Sequence, residues 1–582
     1  MNHLYSLKKY FLKYKSKLLF GVVFIFLSSV GYVYIPVAIK DAINELQTTM
    51  SYSTILSYAL LIVGSSLISG IFRFYIRQTI IVVSREIEYD LRRDFWEHIQ
   101  KLPLKYFQNT STGNIMAHAT NDINAVRMFI GPAVMYSIDT LIRFIMVIAI
   151  MASISLEVTL YSLLPLPILS ILVYKVGKKI HERFTAIQEK FSELTTKAQE
   201  NFSGIRVIKS YLREDFEIEE FTQLSKEYLH KNMRLVKIQA LFQPILFLIT
   251  GISVIIVVWM GGLKVISGEL LLGDITAIII YLGMLTWPMI AFGWVINIIQ
   301  QAEASMKRLS IILSERLEIE DSKETNYAIK DLYGDIEFRN VTFSYGKHLK
   351  PVLKGINLKI PRGTTLAIMG GTGSGKSTLI NLIPRLYDLS DGELLIDGHP
   401  VKSIPLSALR KNIGLVQQES FLFSDTIENN LAYGLHSFNE SAVKNASRIA
   451  RFDIDVRDFP SGYKTILGER GITLSGGQKQ RASLARVLVI DPKILILDDS
   501  FSAVDTHTEE EILINLREFM KNRTSIIISH RVSTVKDADK IIYIENGKII
   551  EEGTHYELLA LNGKYAEVHY KQMLEKELME LN

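Results

Sequence analysis

Three stretches of this chain, 18–39, 241–263 and 275–299, carry no charged residue. Each is longer than the roughly 20 residues that cross the apolar core of a bilayer. A fourth run, 158–174, sits near the minimum and holds Pro165 and Pro167, which a lipid-embedded helix tolerates where neighbours satisfy the freed backbone. Two more runs are apolar but charged: 55–83 with Arg73 and Arg77, and 133–153 with Asp139 and Arg143. The expectation is a six-helix transmembrane bundle. The chain as a whole is 48% hydrophobic and 22% charged, with a mean hydropathy of +0.19. That is too apolar for a soluble protein and too charged for a membrane one, so a membrane half joined to a soluble half is expected.

The connections alternate in charge. Segments 1–17, 84–129 and 175–240 hold 5, 6 and 13 Lys and Arg residues, whereas 40–54, 154–157 and 264–274 hold only Lys40 and Lys264. The positive-inside rule then puts the long loops and both termini in the cytoplasm. The acid-free start, "MNHLYSLKKYFLKYKSKLLF", lacks a small-residue cleavage site and reads as a basic amphipathic helix on the inner membrane surface. Asp139 and Arg143 are four apart and can pair on one helix face, either as a structural ion pair or facing a wet cavity. Trp287 and Trp294 share a face of the last span beside Pro288 and fit either a substrate cavity or an interfacial aromatic belt. A net charge of +4 with no separate basic tract argues against a nucleic-acid partner, and the absence of cysteine excludes disulfides, thiol catalysis and thiolate metal sites.

After a polar linker, 314–334, short β-rich runs alternate with helical ones over 335–582, the pattern of an α/β domain with a largely parallel sheet. "TLAIMGGTGSGKSTLINLI" (365–383) is strand, glycine loop and helix, and fits G-x-x-x-x-G-K-[ST] from Gly370 to Ser377. The loop residues Gly370, Gly371, Thr372, Gly373, Ser374 and Gly375 can turn backbone N–H groups onto phosphate, with Lys376 reaching the outer phosphates and Ser377 and Thr378 opening the helix. "ILILD" (494–498) ends an apolar strand on Asp498, a placement suited to Mg2+. "LSGGQKQRASLARVL" (474–488) is a polar glycine turn opening a helix, again an anion-binding end.

With "LSGGQ" beside a P-loop and "ILILDD", the chain resembles the ATP-binding cassette (ABC) transporters over its whole length. Its order is that of a bacterial half-exporter of the multidrug-resistance-like (MdlA-like) type: transmembrane domain 1–313, linker 314–334 and an α/β P-loop ATP-binding domain 335–582. The resemblance implies ATP and Mg2+ as cofactors. It implies that Tyr345 stacks on adenine and that Gln418 joins Mg2+ to the membrane interface, beside Ser377 and Asp498. Ser475, Gly476, Gly477 and Gln478 then form the signature loop, Asp505 links the two ATP sites, and His530 contacts the γ-phosphate. Glu469 in "LGERG" resembles an exporter-specific loop. "TGNIMAHATNDI" and "SGIRVIKSY" are similar to loops whose coupling helices dock on the nucleotide domains. An importer is disfavoured by the fused chain, and a peptide exporter with a thiol protease is excluded by the lack of cysteine.

Two positions depart from the resemblance: Asp499 where a water-polarising glutamate is usual, and Phe501 where threonine is frequent. An aspartate reaches roughly 1.5 Å less, and a misplacement of about 1 Å can cost about 10²-fold in rate. ABC nucleotide domains pair head to tail, so the intact LSGGQ would complete a partner's site. The expectation is therefore one half of a heterodimeric exporter with a weak site of its own, in the cytoplasmic membrane of a bacterium. It would pump drugs or lipids; a homodimeric exporter or flippase with slow hydrolysis is the alternative, and an ATP-gated channel or regulator a remoter one.

Overall fold

The computed structural model describes residues 3–47, 52–346, 348–468, 471 and 473–580, so Glu469 lies outside the described residues. The chain forms two compact units: Met1–Ile99 with Thr112–Glu315, and Gln100–Ser111 with Arg316–Asn582.

The first unit is all helix. Among the described residues, five helical runs are long and apolar enough to cross a membrane: Lys15–Leu46, Tyr52–Ile99, Thr112–Ile154, Glu214–Ile266 and Leu272–Leu313. The stretch expected as a further span, 158–174, is not among them. It is divided between a helix at Leu156–Leu163 and the long helix Pro165–Ser203. Pro165 lacks an N–H and has its φ fixed, so it starts a helix more cheaply than it continues one.

Small residues line a close helix crossing. Ser28 Oγ donates to Ser69 O (3.1 Å) and Ser69 Oγ to Ser28 O (3.0 Å), a reciprocal buried pair between Lys15–Leu46 and Tyr52–Ile76. A Cβ on Gly31 would sit 3.0 Å from Ser65 O, so this crossing excludes larger side chains. The buried Tyr281 hydroxyl donates to Val33 O at 2.7 Å and ties the last helix to the first.

Three of the five lysines in the basic N-terminal segment are ion-paired with one later helix. Lys9, Lys13 and Lys17 meet Asp94, Asp90 and Glu86 at 2.9, 2.6 and 2.6 Å. These acids are four apart and so line one face of the helix Val82–Ile99. The motif 112–123 is anchored within the first unit. Its Asp122 is buried and accepts from Ser305 Oγ (2.8 Å) and Arg308 Nε (3.0 Å), tying two helices inside the first unit. The short helix that groups with the second unit is Leu104–Asn109, just before the motif.

The second unit contains two sheets. Strands β1 (Ile336–Phe343), β2 (Leu353–Ile360), β4 (Asp391–Ile396) and β5 (His399–Pro400) form an antiparallel sheet in the order β2-β1-β4-β5. The other sheet holds β3 (Thr365–Gly370), β6 (Ile413–Val416), β7 (Ile494–Asp498), β8 (Thr524–Ile528), β9 (Lys540–Glu545) and β10 (Lys548–Gly553), in the order β10-β9-β3-β8-β7-β6. All its pairs are parallel except β9–β10. Central strands buried on both faces explain the unbroken apolar runs. Ile494 and Ile496 enter one apolar cluster, and Leu495 and Leu497 the other.

The entry to β1 is held by one carboxylate. Asp397 accepts from the backbone N–H groups of Tyr333 (2.7 Å), Gly334 (3.0 Å) and Asp335 (2.9 Å), from a turn with φ +52°. Asp397→Ala is expected to destabilise the second unit by about 2 kcal/mol, lowering its thermal midpoint by roughly 4–8 °C in calorimetry of the full chain. Asp397→Asn keeps an acceptor and tolerates that φ, so it is expected to lose less than half as much.

Candidate functional site

β3 ends at Gly370, and the helix Lys376–Leu382 begins after a glycine loop. Gly370, Gly373 and Gly375 take φ of +147°, +77° and +106°, and a Cβ on Gly370 would lie 2.2 Å from Ile544 O. Only glycine fits that approach, and the resulting turns make a concave backbone of the kind that cradles anions. Lys376 Nζ donates to Gly370 O and Gly371 O, both at 2.9 Å. Burial holds this ammonium below the ordinary lysine pKa, against the opposing fields of Asp498 and Asp499. Ser374 Oγ is buried with no hydrogen-bond partner among the described residues. A buried cation and an orphaned hydroxyl at a glycine cradle fit a phosphate chain.

Asp498 closes β7 and is buried. Burial, helped by Asp499, pushes its carboxyl above the usual range; the Ser377 hydroxyl, Lys376 and His530 pull the other way. A carboxylate hydrogen-bonded to a hydroxyl is the hard-oxygen pair that suits Mg2+, which takes few protein ligands beside substrate phosphates.

Asp499 leaves the strand with φ +45°, its N–H donating to Ile528 O at 3.0 Å. The turn sends the chain into a cavity of about 180 Å³ that Asp499 lines with Ser529 and His530. Aspartate is enriched in this left-handed region relative to longer side chains, so the short acid suits the turn even as it loses reach. Phe501, the second departure, is buried in the apolar cluster under the sheet. Its aromatic bulk belongs to packing.

Ser475 caps the helix Gly476–Leu488 in a reciprocal box with Gln478. Gln478 Nε2 also donates to Asp455 (3.1 Å), which Arg481 grips through both oxygens at 2.8 and 2.7 Å. A Cβ on Gly477 would meet Ala503 O at 2.8 Å. Gln480 fixes the same turn, donating to Ser502 Oγ and accepting from Ala503 N, both at 2.9 Å. Asp505 caps the helix Thr506–Met520, accepting from Thr508 N at 2.9 Å. Among the described residues, the signature loop packs on the 502–503 turn.

The Tyr345 ring stands edge-on to Phe343 and Tyr387, and its hydroxyl is 2.9 Å from Thr378 Oγ1, linking this aromatic to the first turn of the helix that follows the glycine loop. Gln418 is exposed just past β6. The segment beyond it is fastened by Arg486, which donates to Phe421 O, Asn430 O and Asn430 Oδ1, each at 2.8 Å.

The sequence reading missed Gln572, on the helix Lys564–Glu580. Its Nε2 donates to His530 O (2.7 Å) and its Oε1 accepts from Val532 N (2.9 Å). A single glutamine brackets the histidine loop from both sides. No motif surrounds it and it lies 42 residues from His530, so only the fold reveals the link.

Comparisons with known proteins agree with this geometry. Residues 18–289 match the ABC transporter transmembrane region and 353–502 match the ABC transporter family. The multidrug resistance-like ATP-binding protein MdlA of Escherichia coli is 35% identical, over 93% of this chain and 91% of that protein. The ATP-dependent lipid A-core flippase of Desulfotalea psychrophila is 34% identical, over 90% and 92%. The structure of a bacterial Atm1-family ABC exporter with ATP bound superposes with a TM-score of 0.78 at 27% identity, covering 96% of this chain and 98% of that one. With a membrane domain and an ATP-binding domain on one polypeptide, this chain belongs to the ABC transporter family, as an ATPase-coupled exporter.

Proposed function

We propose that the chain is one half of a heterodimeric exporter of hydrophobic or amphipathic small molecules, drugs or lipids, in the cytoplasmic membrane of a bacterium, with six spans and both termini inside. The observation that carries the asymmetry is Asp499: a short acid in a left-handed turn, lining one cavity with His530, at the position where reach decides how water is held. A loss of about 10²-fold corresponds to about 2.7 kcal/mol of barrier.

In this reading Tyr345 stacks on adenine, and the backbone of 370–375 with Lys376 holds the phosphates. Ser377, Asp498 and Gln418 hold Mg2+, which when bound neutralises developing charge on the phosphates. Asp499 and His530 orient the attacking water, Asp499 weakly. Ser475–Gln478 and Asp505 serve the opposite site across the dimer. Two features support a partner. The signature loop is fully built yet bonded away from this chain's own cradle. The crest at 202–212, with the short helix Ile205–Ser210, also exposes Phe202, Val207, Tyr211 and Leu212, an apolar tip suited to another chain's surface.

ATPase activity in lipid nanodiscs tests the pairing. The lone chain is expected to hydrolyse slowly, and Asp499→Glu to raise its rate about tenfold or more. A mixture with a second, glutamate-bearing half-transporter is expected to be fast and to gain little from Asp499→Glu. Brisk hydrolysis by the lone wild-type chain would instead establish a homodimer with a working aspartate.

Gln572 gives a second test, best read in the Asp499→Glu background. Gln572→Ala is expected to lower kcat roughly 5- to 20-fold through a loosened His530 loop, about the worth of two hydrogen bonds. KM for ATP should move less than about twofold, because the cradle is untouched; steady-state kinetics separates the two.

A further inference from the structure

A cavity of about 380 Å³ opens inside the first unit between the helices Lys15–Leu46, Tyr52–Ile76, Val134–Ile154 and Leu272–Leu313. Its walls include Met135, Met284 and Trp287, adaptable and aromatic surface suited to an apolar chain. Its charges do not balance. Arg73, Arg77 and Arg143 line it, against the single acid Asp139.

Arg143 is ion-paired with that acid, although its buried Nε makes no hydrogen bond of good geometry among the described residues. Its Nε lies 2.8 Å from Asp139 Oδ1, and its guanidinium sits over the Tyr32 ring at 4.7 Å. Ser29 Oγ also donates to Asp139 Oδ1 at 3.3 Å, fixing that carboxylate. Arg73 has only a longer approach to Tyr32, at 5.9 Å. Among the described residues neither Arg73 nor Arg77 has a carboxylate within 4.0 Å. Arg77 opens a π turn, Arg77–Ile81, in an otherwise α-helical run, a register slip that recurs at functional sites. Three arginines against one acid leave the cavity with an excess of two positive charges, which an anion between helices would balance.

We propose that this cavity binds an anionic amphiphile, with its phosphate, sulfate or carboxylate head on Arg73 and Arg77 and its apolar chain against Met135, Met284 and Trp287. Guanidiniums suit such oxyanions through paired N–H donors. The proposal rests on the export reading and narrows it: the preferred cargo carries negative charge.

The test is binding to the full chain in phosphatidylcholine nanodiscs, followed by intrinsic tryptophan fluorescence. The probes are dodecyl phosphate, dodecyltrimethylammonium, dodecyl maltoside and inorganic phosphate. Dodecyl phosphate is expected to bind at least about tenfold more tightly than the other two amphiphiles. Arg73→Gln/Arg77→Gln should abolish that preference, and Arg73→Lys/Arg77→Lys should retain most of it, which separates lost charge from lost fold. Equal binding of anionic and cationic amphiphiles, or a preference that survives the glutamine pair, overturns the proposal. Inorganic phosphate competing as well as dodecyl phosphate also overturns it, by showing a site for free anions. Transport in proteoliposomes reads the export function separately: export of cations with no anion preference would sink only the cavity assignment, and anion binding with no transport of any amphiphile would sink only the export reading.

Discussion

The register of three parallel strands is the constraint on which the nucleotide site depends. Ile368 of β3 pairs with Ile528 of β8, and Ile528 pairs with Asp498 of β7. Three parts of the site follow within two residues of that line: Gly370 begins the cradle, Asp499 follows Asp498, and His530 lies two residues past Ile528. A slip of one residue in any strand would exchange the faces of its side chains and move its terminus by about 3.3 Å. The alternation of Ile494 and Ile496 against Leu495 and Leu497 forbids the slip, because both faces are buried in separate clusters. The apolar pattern that folds the sheet therefore also aligns the acids with the lysine.

That alignment brings like charges together. Asp498 and Asp499 are adjacent, and each adds its field to the buried Lys376. With the lysine turned onto the carbonyls of Gly370 and Gly371, its charge is solvated by the loop and not by either acid directly. A phosphate chain has to take over the lysine from two carbonyls, while Asp498, raised by burial, gains a cation as partner. The site is arranged so that its polar groups are better satisfied with ligand than without, as Ser374 Oγ also indicates.

Much of this was legible in the sequence, and what was not shares one cause. The cradle, the strand ending in Asp498 and the signature helix are local: the glycines and apolar runs that identify them are also what shapes them. The acid row Glu86, Asp90 and Asp94 could be read from its spacing, but its pairing with Lys17, Lys13 and Lys9 depends on how two segments 69 or more residues apart pack. The same holds for Gln572 on the His530 loop and for Asp122 under Arg308. The boundary at Pro165 is ambiguous for a different reason: proline marks a helix start as readily as a kink, and composition alone does not choose between them.

The turn after Asp499 connects the chain's own site to the loop proposed to serve its partner. Asp499 O accepts from Ser502 Oγ (3.2 Å), Ser502 Oγ accepts from Gln480 Nε2 (2.9 Å), and Gln480 Oε1 holds Ala503 N (2.9 Å), whose residue packs on Gly476 and Gly477. The backbone at 499 is therefore shared scaffold, whereas the carboxylate at 499 acts only locally. A substitution that kept the left-handed turn and shortened the side chain would weaken one site and leave the signature loop in place. Aspartate meets both conditions, because it tolerates positive φ better than glutamate and loses only reach. A bulkier or β-branched replacement would strain the turn and, through Ser502 and Gln480, disturb the loop as well. The residue at 499 is thus compatible with a chain whose hydrolysis is relaxed while its service to a second site is kept.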